Sequence, residues 1–287
     1  MTSGPEAGAE SVALGGQVWR RLPDSAAPMD WQLAHTEALL AGLSAGAPPS
    51  LRWYLPDATA VVLGRSQRPA LLDHAALRTA GLHAYARTSG GGAVLINRHA
   101  LSLDIALPAG HPLLLRDVTL SYRWVGEVWA AALAALGIAA RALPTGEARA
   151  LTPPAPDDPL RLACYGTLSP WEVVVGARKV VGLSQVRRRA GALLPMGVHL
   201  RWQPRALAAL LALPARARRR LTSDLRARAA GLDELAGRAV TAREVSAAFE
   251  AALVARLGIR LAPGAWLAEE AAAARELLAS EFHALGE

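Results

Sequence analysis

A chain of 287 residues, 52% of them hydrophobic, is long enough to bury one full core or one large domain with a small appendage, and it has no uncharged run as long as a membrane span. Its net charge of +7 favours acidic partners, but no basic stripe interleaved with aromatic residues and no nucleic-acid motif is present, so a nucleic-acid reader is not expected. A single cysteine cannot close an internal disulfide, and the first residues, with Glu6 and Glu10, lack the basic-then-apolar order of a signal peptide; a cytoplasmic protein is expected.

Residues 1–16 are small and polar and are expected to be disordered. The spacing of Leu33, Leu39, Leu40 and Leu43 predicts a helix over 29–43, ended by Gly46-Ala47-Pro48-Pro49. Two strands follow at 51–55 and 59–63, joined at Pro56-Asp57, and then a polar turn, Gly64-Arg65-Ser66-Gln67. Strands at 83–86 and 93–96 flank a glycine run. The alternation of Leu101, Leu103, Ile105 and Leu107 with Ser102, Asp104 and Ala106 predicts a half-buried antiparallel strand. A helix is expected over 120–136, with Val125, Val128, Trp129, Ala132 and Leu136 on one face. Residues 152–159 read as a surface loop beside a site. Strands at 171–175, 179–186 and 193–200 form a predicted meander, turning at 176–178 and 190–191. After Pro204 the chain becomes helical. Thr241-Ala242-Arg243-Glu244 is a capping box, Val245, Phe249 and Leu253 continue it, and a last helix covers 267–285. The dense basic run Arg216–Arg220 reads as a solvated helix end or loop.

Three features stand apart from this framework. The first is Arg87-Thr88-Ser89-Gly90-Gly91-Gly92-Ala93-Val94. Glycines are costly to order, and without Cβ they permit close approach of a polar group or a thin acyl chain to the backbone. A bulged turn would use them equally well. The second is Lys179, the only lysine beside thirty arginines. Where arginine replaces lysine wherever a positive charge suffices, a surviving lysine is one that has to be an amine. The third is Cys164, the only thiol, which by itself reads as a small buried hydrophobe.

Taken with Gly182-Leu183-Ser184-Gln185, these residues resemble the lipoate–protein ligase and octanoyltransferase family, which shares its fold with biotin protein ligases. Residues 32–40 resemble the family's N-terminal helix motif, 64–67 its Gly-Arg-x-Gln turn, and 87–94 its Arg-x-Ser-Gly-Gly-Gly-Ala-Val signature. Residues 176–185 match a turn, then Lys, then Gly-x-Ser/Ala-Gln, and 241–258 resemble the C-terminal helix pair. The resemblance implies an α/β (α+β) fold, a mixed or antiparallel sheet flanked by helices. It implies a catalytic domain over 17–203 and a small helical C-terminal section, 204–287, packed on it.

The family divides by chemistry. Its ligases activate free lipoate with ATP. Its cysteine-dependent transferases hold an octanoyl or lipoyl group as a thioester between a carrier protein and a lysine of a lipoyl domain. Ile96-Asn97-Arg98-His99-Ala100 departs from the ligase continuation His-Asp and Gly-Asn, whereas a cysteine fifteen residues before the lysine and the ending Gly182 to Arg188 are similar to the transferases. The resemblance therefore implies Cys164 and Lys179 as catalytic residues. It implies Arg65, Arg87, Ser89, Gly90, Gly91, Gly92, Gly182, Ser184 and Gln185 as substrate-binding residues. It further implies acyl carrier protein or an acyl-bearing H protein as donor, lipoyl domains or H protein as acceptor, and no cofactor, with ATP and Mg needed only by a ligase. A monomer, no metal site, no nucleic acid and no membrane are expected. His83, His99 and His199 are all open as the general base. A ligase with Cys164 as bystander, and a non-catalytic acyl-binding homologue, are the alternative readings.

Overall fold

The computed structural model describes residues 14–151, 153–280, 282, 284 and 285. The disorder expected for 1–16 falls mostly outside these residues. Leu14 to Gly16 lie within them and are tied to the end of a C-terminal helix, the Leu14 N–H donating to the Leu257 carbonyl at 2.8 Å.

The strands are β1 (Val18–Arg21), β2 (Ser25–Ala27), β3 (Ser50–Pro56), β4 (Ala60–Leu63), β5 (His83–Ala86), β6 (Val94–Ile96), β7 (Ala100–Pro108), β8 (Arg141–Ala142), β9 (Val173–Val175), β10 (Arg178–Leu183), β11 (Val186–Arg188), β12 (Gly191–His199) and β13 (Arg260–Pro263). The helices are α1 (Met29–Ser44), α2 (His74–Ala80), α3 (Arg123–Ala135), α4 (Thr145–Ala150), α5 (Pro204–Ala209), α6 (Ala215–Arg228), α7 (Leu232–Ala236), α8 (Ala242–Leu257) and α9 (Ala268–Ser280).

The large sheet runs β13-β1-β3-β7-β12-β10-β9-β8, with β2 on β3 and β11 on β12. It is parallel from β13 to β3 and antiparallel from β3 to β8. A second sheet, β5-β4-β6, stands apart from it, so the two strands on either side of Pro56-Asp57 belong to different sheets.

The burial of β7 differs from the sequence expectation. Leu101, Leu103, Ile105 and Leu107 pack into the core under α3 and α8, as the alternation requires. The other face is covered as well. Ala106 packs with Leu39 and Leu43 of α1, and the Asp104 carboxylate accepts from Thr36 Oγ1 of α1 at 2.7 Å. A sheet covered on both sides has no solvent face, and Asp104 is buried because Arg52 on the neighbouring strand neutralises it.

The meander forms with one interruption. The predicted strand 179–186 breaks at Ser184-Gln185 into β10 and β11. Pro195 in β12 has no N–H to offer there, and both the N–H and the hydroxyl of Ser184 donate to its carbonyl, at 3.0 and 2.8 Å.

Residues 204–287 supply α5 to α9 and also β13, which the pattern did not predict. Helix α8 starts at the expected capping box, with Thr241 Oγ1 accepting from the Glu244 N–H at 3.2 Å, and Phe249 packs against Trp53 and Trp129. Leu207, Leu221 and Leu225 of α5 and α6 instead close a core beneath the small sheet. Helix α9 lies on α1 and is pinned by a buried Arg20–Glu270 pair at 2.5 Å. No helix among the described residues is long and apolar enough to cross a membrane. The consequence for the site is a seam between the two sheets, where β6, β10 and β12 bring their strand ends together.

Candidate active site

That seam encloses a cavity of about 330 Å³. Cys164, Lys179, Arg87, Gly90, Gly91, Gly182, Ser184 and Gln185 all line it, although they come from three separate stretches of chain. Val94, Ile96, Leu101, Met196 and Val198 give it an apolar wall. Ser89, Gly92 and Arg65 are not among the lining residues. Ser89 is buried behind the wall, where Ser184 Oγ donates to its hydroxyl at 3.4 Å. Arg65 is exposed on the turn after β4, and its main-chain N–H donates to the Ser89 carbonyl at 3.0 Å.

The cysteine reaches the seam through backbone pairing. Residues 162–164 run parallel to the start of β6: the Ala93 N–H donates to the Leu162 carbonyl at 2.7 Å and the Cys164 N–H to the Ala93 carbonyl at 2.9 Å. Gln67 reinforces this, its amide donating to the Leu162 carbonyl at 2.9 Å. A Cβ on Gly92 would stand 2.5 Å from the Ala163 carbonyl carbon, so only glycine lets the two segments lie this close. Gly91 has φ +99°, and a Cβ there would be 3.6 Å from the Cys164 sulfur. The glycine run is therefore a strap across the thiol.

Arg87 holds the strap. Its guanidinium donates to the carbonyls of Gly90 (2.7 Å), Gly92 (2.9 Å) and Val62 (3.3 Å), fixing three main-chain oxygens with one planar group.

Lys179 is 2% exposed, and its ammonium is fully engaged. Nζ pairs with Glu172 Oε1 at 2.5 Å and donates to the carbonyls of Cys164 at 3.0 Å and Thr167 at 3.4 Å. A register shift between Lys179 and Val181 against β9 marks a bulge, the usual device for re-aiming a strand side chain. Burial pulls the Lys179 pKa down, but the charges of Glu172 and of the Cys164 sulfur outweigh it, so the net shift is upward and the amine stays protonated. Gly182 lies directly against it: a Cβ there would be in ordinary contact with Lys179 Cε at 3.4 Å and the Tyr165 hydroxyl at 3.7 Å.

Sequence reasoning missed Glu172 and Tyr165, and it placed Gln67 in the family's turn without assigning it to the site. The signal for Glu172 was a lone carboxylate in the apolar run Trp171-Glu172-Val173-Val174-Val175, where only a paired charge is tolerated. Tyr165 lies under the ammonium, its ring centroid 5.1 Å from Nζ, and its hydroxyl donates to the Gly197 carbonyl at 2.6 Å. Of the three candidate histidines, His199 lines the cavity and His83 and His99 do not. Burial lowers the His199 pKa to about 3, so its imidazole is neutral. Gln185 Nε2 is buried and has no partner among the described residues. No cluster of metal-ligating side chains occurs among those residues either.

A thiol lining a pocket with one apolar wall, with an ammonium held near it by a carboxylate, is an arrangement suited to handling an acyl group. The comparisons with known proteins agree with that reading. Residues 28–254 match the family model described as the lipoyl protein ligase A/B catalytic domain, and the chain belongs to that family. It is 34% identical to octanoyltransferase LipM of Kyrpidia tusciae over 92% of this chain and 96% of that protein. It is 30% identical to octanoyltransferase LipM of Geobacillus kaustophilus over 93% and 96%. A bi-partite lipoate protein ligase from Thermoplasma acidophilum has the same fold, with a TM-score of 0.71, 21% identity and coverage of 92% of each chain.

Proposed function

We propose that this protein transfers an octanoyl group from a carrier protein, through a thioester on Cys164, to a lysine of a lipoyl domain. The observation that carries this reading is the only thiol of the chain lying against the glycine strap, in the lining of a cavity with one apolar wall, with its own carbonyl bound to the buried Lys179 ammonium. The names of the relatives support octanoyl transfer.

In the first half-reaction the Cys164 thiolate attacks the carbonyl carbon of the incoming thioester. A C–Sγ bond forms, the bond from that carbon to the donor sulfur breaks, and the donor leaves as a thiol carrying the proton Cys164 gave up. In the second, a lysine amine attacks the acyl-enzyme, the amide C–N bond forms, the C–Sγ bond breaks, and the proton the amine loses goes to the departing Cys164 sulfur. Since the three Lys179 donors are spent on Glu172 and two carbonyls, its charge acts on the oxyanion through space. The net charge of +7 would speed docking of acidic carrier and lipoyl proteins, a cytoplasmic task.

Intact-mass spectrometry tests the reading. Incubation with octanoyl-carrier protein should give one octanoyl adduct, absent in Cys164→Ser. No adduct, with ATP-dependent attachment of free octanoate to a lipoyl domain instead, would make the protein a ligase.

A further inference from the structure

The glycine strap has two sides. Beyond it, away from the apolar cavity, lies a groove of about 560 Å³ lined by Gln67, Gly91, Arg149, Arg161, Thr167 and Arg228, among others, and no carboxylate is among its lining residues. We propose that this groove binds the phosphodiester of the prosthetic arm on which a carrier protein presents its acyl thioester. The inference rests on the transferase reading above and narrows its donor to one with a phosphopantetheine-type arm.

Three observations point there. First, the groove and the acyl cavity share Gly91 and Thr167, and Gly91 is the strap residue nearest the Cys164 sulfur. A thioester reaching from one space into the other has its carbonyl at the thiol, its acyl chain inside and its thiol arm outside. Second, the arginines are free. Arg149 and Arg228 have no side-chain partner among the described residues, and Arg161 donates only to the Pro154 carbonyl, at 3.2 Å. Two arginines of the basic run are taken up by carboxylates instead: Arg218 is bound to Asp73 at 2.6 Å, and Arg220 lies 3.5 Å from Asp224. A second basic groove, beside α5, contains Glu234, which takes up Arg178 at 2.6 Å. Third, the chemistry fits. Guanidinium groups bind phosphate oxygens through paired N–H donors, and unpaired ones gathered without a carboxylate form an anion site. Such a site distinguishes an arm that carries a phosphodiester from a lipoyl-lysine arm, which has none.

The test uses two small thioesters, octanoyl-pantetheine and octanoyl-4′-phosphopantetheine, with the rate of acyl-enzyme formation read by intact mass at subsaturating donor. The full chain should favour the phosphorylated donor by about tenfold, and Arg149→Ala/Arg228→Ala should reduce that preference to within about twofold. With whole donors, the same double substitution should slow acylation by octanoyl-carrier protein. Loss confined to octanoyl-coenzyme A would reassign the groove to a free nucleotide thioester and overturn the carrier assignment. Equal rates from the two small donors, or a preference that survives the substitutions, would overturn the groove and leave Cys164 acylation standing. No adduct from either donor would overturn the transferase reading itself, and the groove proposal with it.

Discussion

Two of the buried ion pairs among the described residues, Arg52–Asp104 and Lys179–Glu172, differ in what surrounds them. Arg52 and Asp104 face each other across β3 and β7, Nη1 to Oδ2 at 3.2 Å, each 0% exposed. Helix α1 closes over them with Thr36 and Gln32, and the ring centroids of Tyr54, Trp31 and Trp266 lie 4.5, 5.5 and 5.6 Å from the guanidinium carbon. Lys179 and Glu172 are buried almost as deeply, yet both line a cavity, and the third group in reach of the ammonium is the carbonyl of a free cysteine. Depth of burial therefore does not separate structural from functional charge here. What separates them is whether the pair is sealed by its own helix or opens on a space with a reactive atom in it.

Replacing both members of each pair with apolar residues is the sharpest way to break this comparison. A buried pair exchanged as a unit is often neutral for stability. Lys179→Met/Glu172→Leu should therefore fold but lose at least about 10³-fold in octanoyl transfer, the scale of a lost charge-stabilising group together with its orienting partner. Arg52→Met/Asp104→Leu should fold and keep kcat within about threefold. Equal losses of activity in the two double variants, with both folded by circular dichroism, would erase the distinction.

Single substitutions sharpen it. Arg52→Met alone leaves the Asp104 carboxyl in the core without its cation, where burial drives it to the protonated form, and should cost about 3–5 kcal/mol in denaturant unfolding, with the folded fraction still turning over. Lys179→Arg keeps the charge, but a planar fork cannot make the three convergent contacts of an ammonium, and acylation by octanoyl-carrier protein should fall about 10²-fold. A Lys179→Arg enzyme at wild-type rate would mean that only charge matters at this position.

The same contrast explains how much could be read before the structure. Lys179 and Cys164 announced themselves by rarity, and the glycine strap by composition, because each is a residue type that the proposed chemistry cannot exchange. Their neighbours in space were readable only through the family resemblance. Nothing local to residues 159–166 says that the segment pairs with β6, since that pairing is a parallel contact between strand ends far apart in sequence. Glu172 carried a signal, a carboxylate in a valine run, but its partner Lys179 sits on the next strand. The long helices α1, α3 and α8 and the central strands followed from periodicity, whereas the short helices α2 and α4 and the short strands β1, β2 and β8 were not predicted. The alternation in β7 was real and its interpretation failed, because a polar residue on a strand's second face says nothing about whether a helix covers that face. Strand β13 was missed for a related reason: Arg260-Leu261-Ala262-Pro263 is too short and too polar to announce a strand, and it exists because β1 offers a parallel edge.

The smallest expected effect concerns His199, which shares the cavity with the ion pair but has no charge of its own. Burial lowers its folded pKa to about 3 from an ordinary value of 6.5, so between those values the unfolded chain binds a proton that the folded chain refuses. Stability from this group is complete above pH 6.5 and is lost as the pH falls towards 3. Between pH 6.5 and 5 the loss is about 2 kcal/mol, from 1.36 kcal/mol per unit. Asp104 runs the other way, its carboxyl raised to about 6 by burial against the opposing pull of Arg52, so the wild-type slope alone is a sum of opposed contributions. His199→Gln removes one of them and leaves Asp104 in place. Urea unfolding at pH 6.5 and pH 5 should show the wild type losing about 2 kcal/mol more than the variant over that step. Parallel losses in the two proteins would mean that the imidazole takes up its proton in the folded state at little cost. The cavity floor would then be wet, and an apolar acyl chain would have to displace that water to bind.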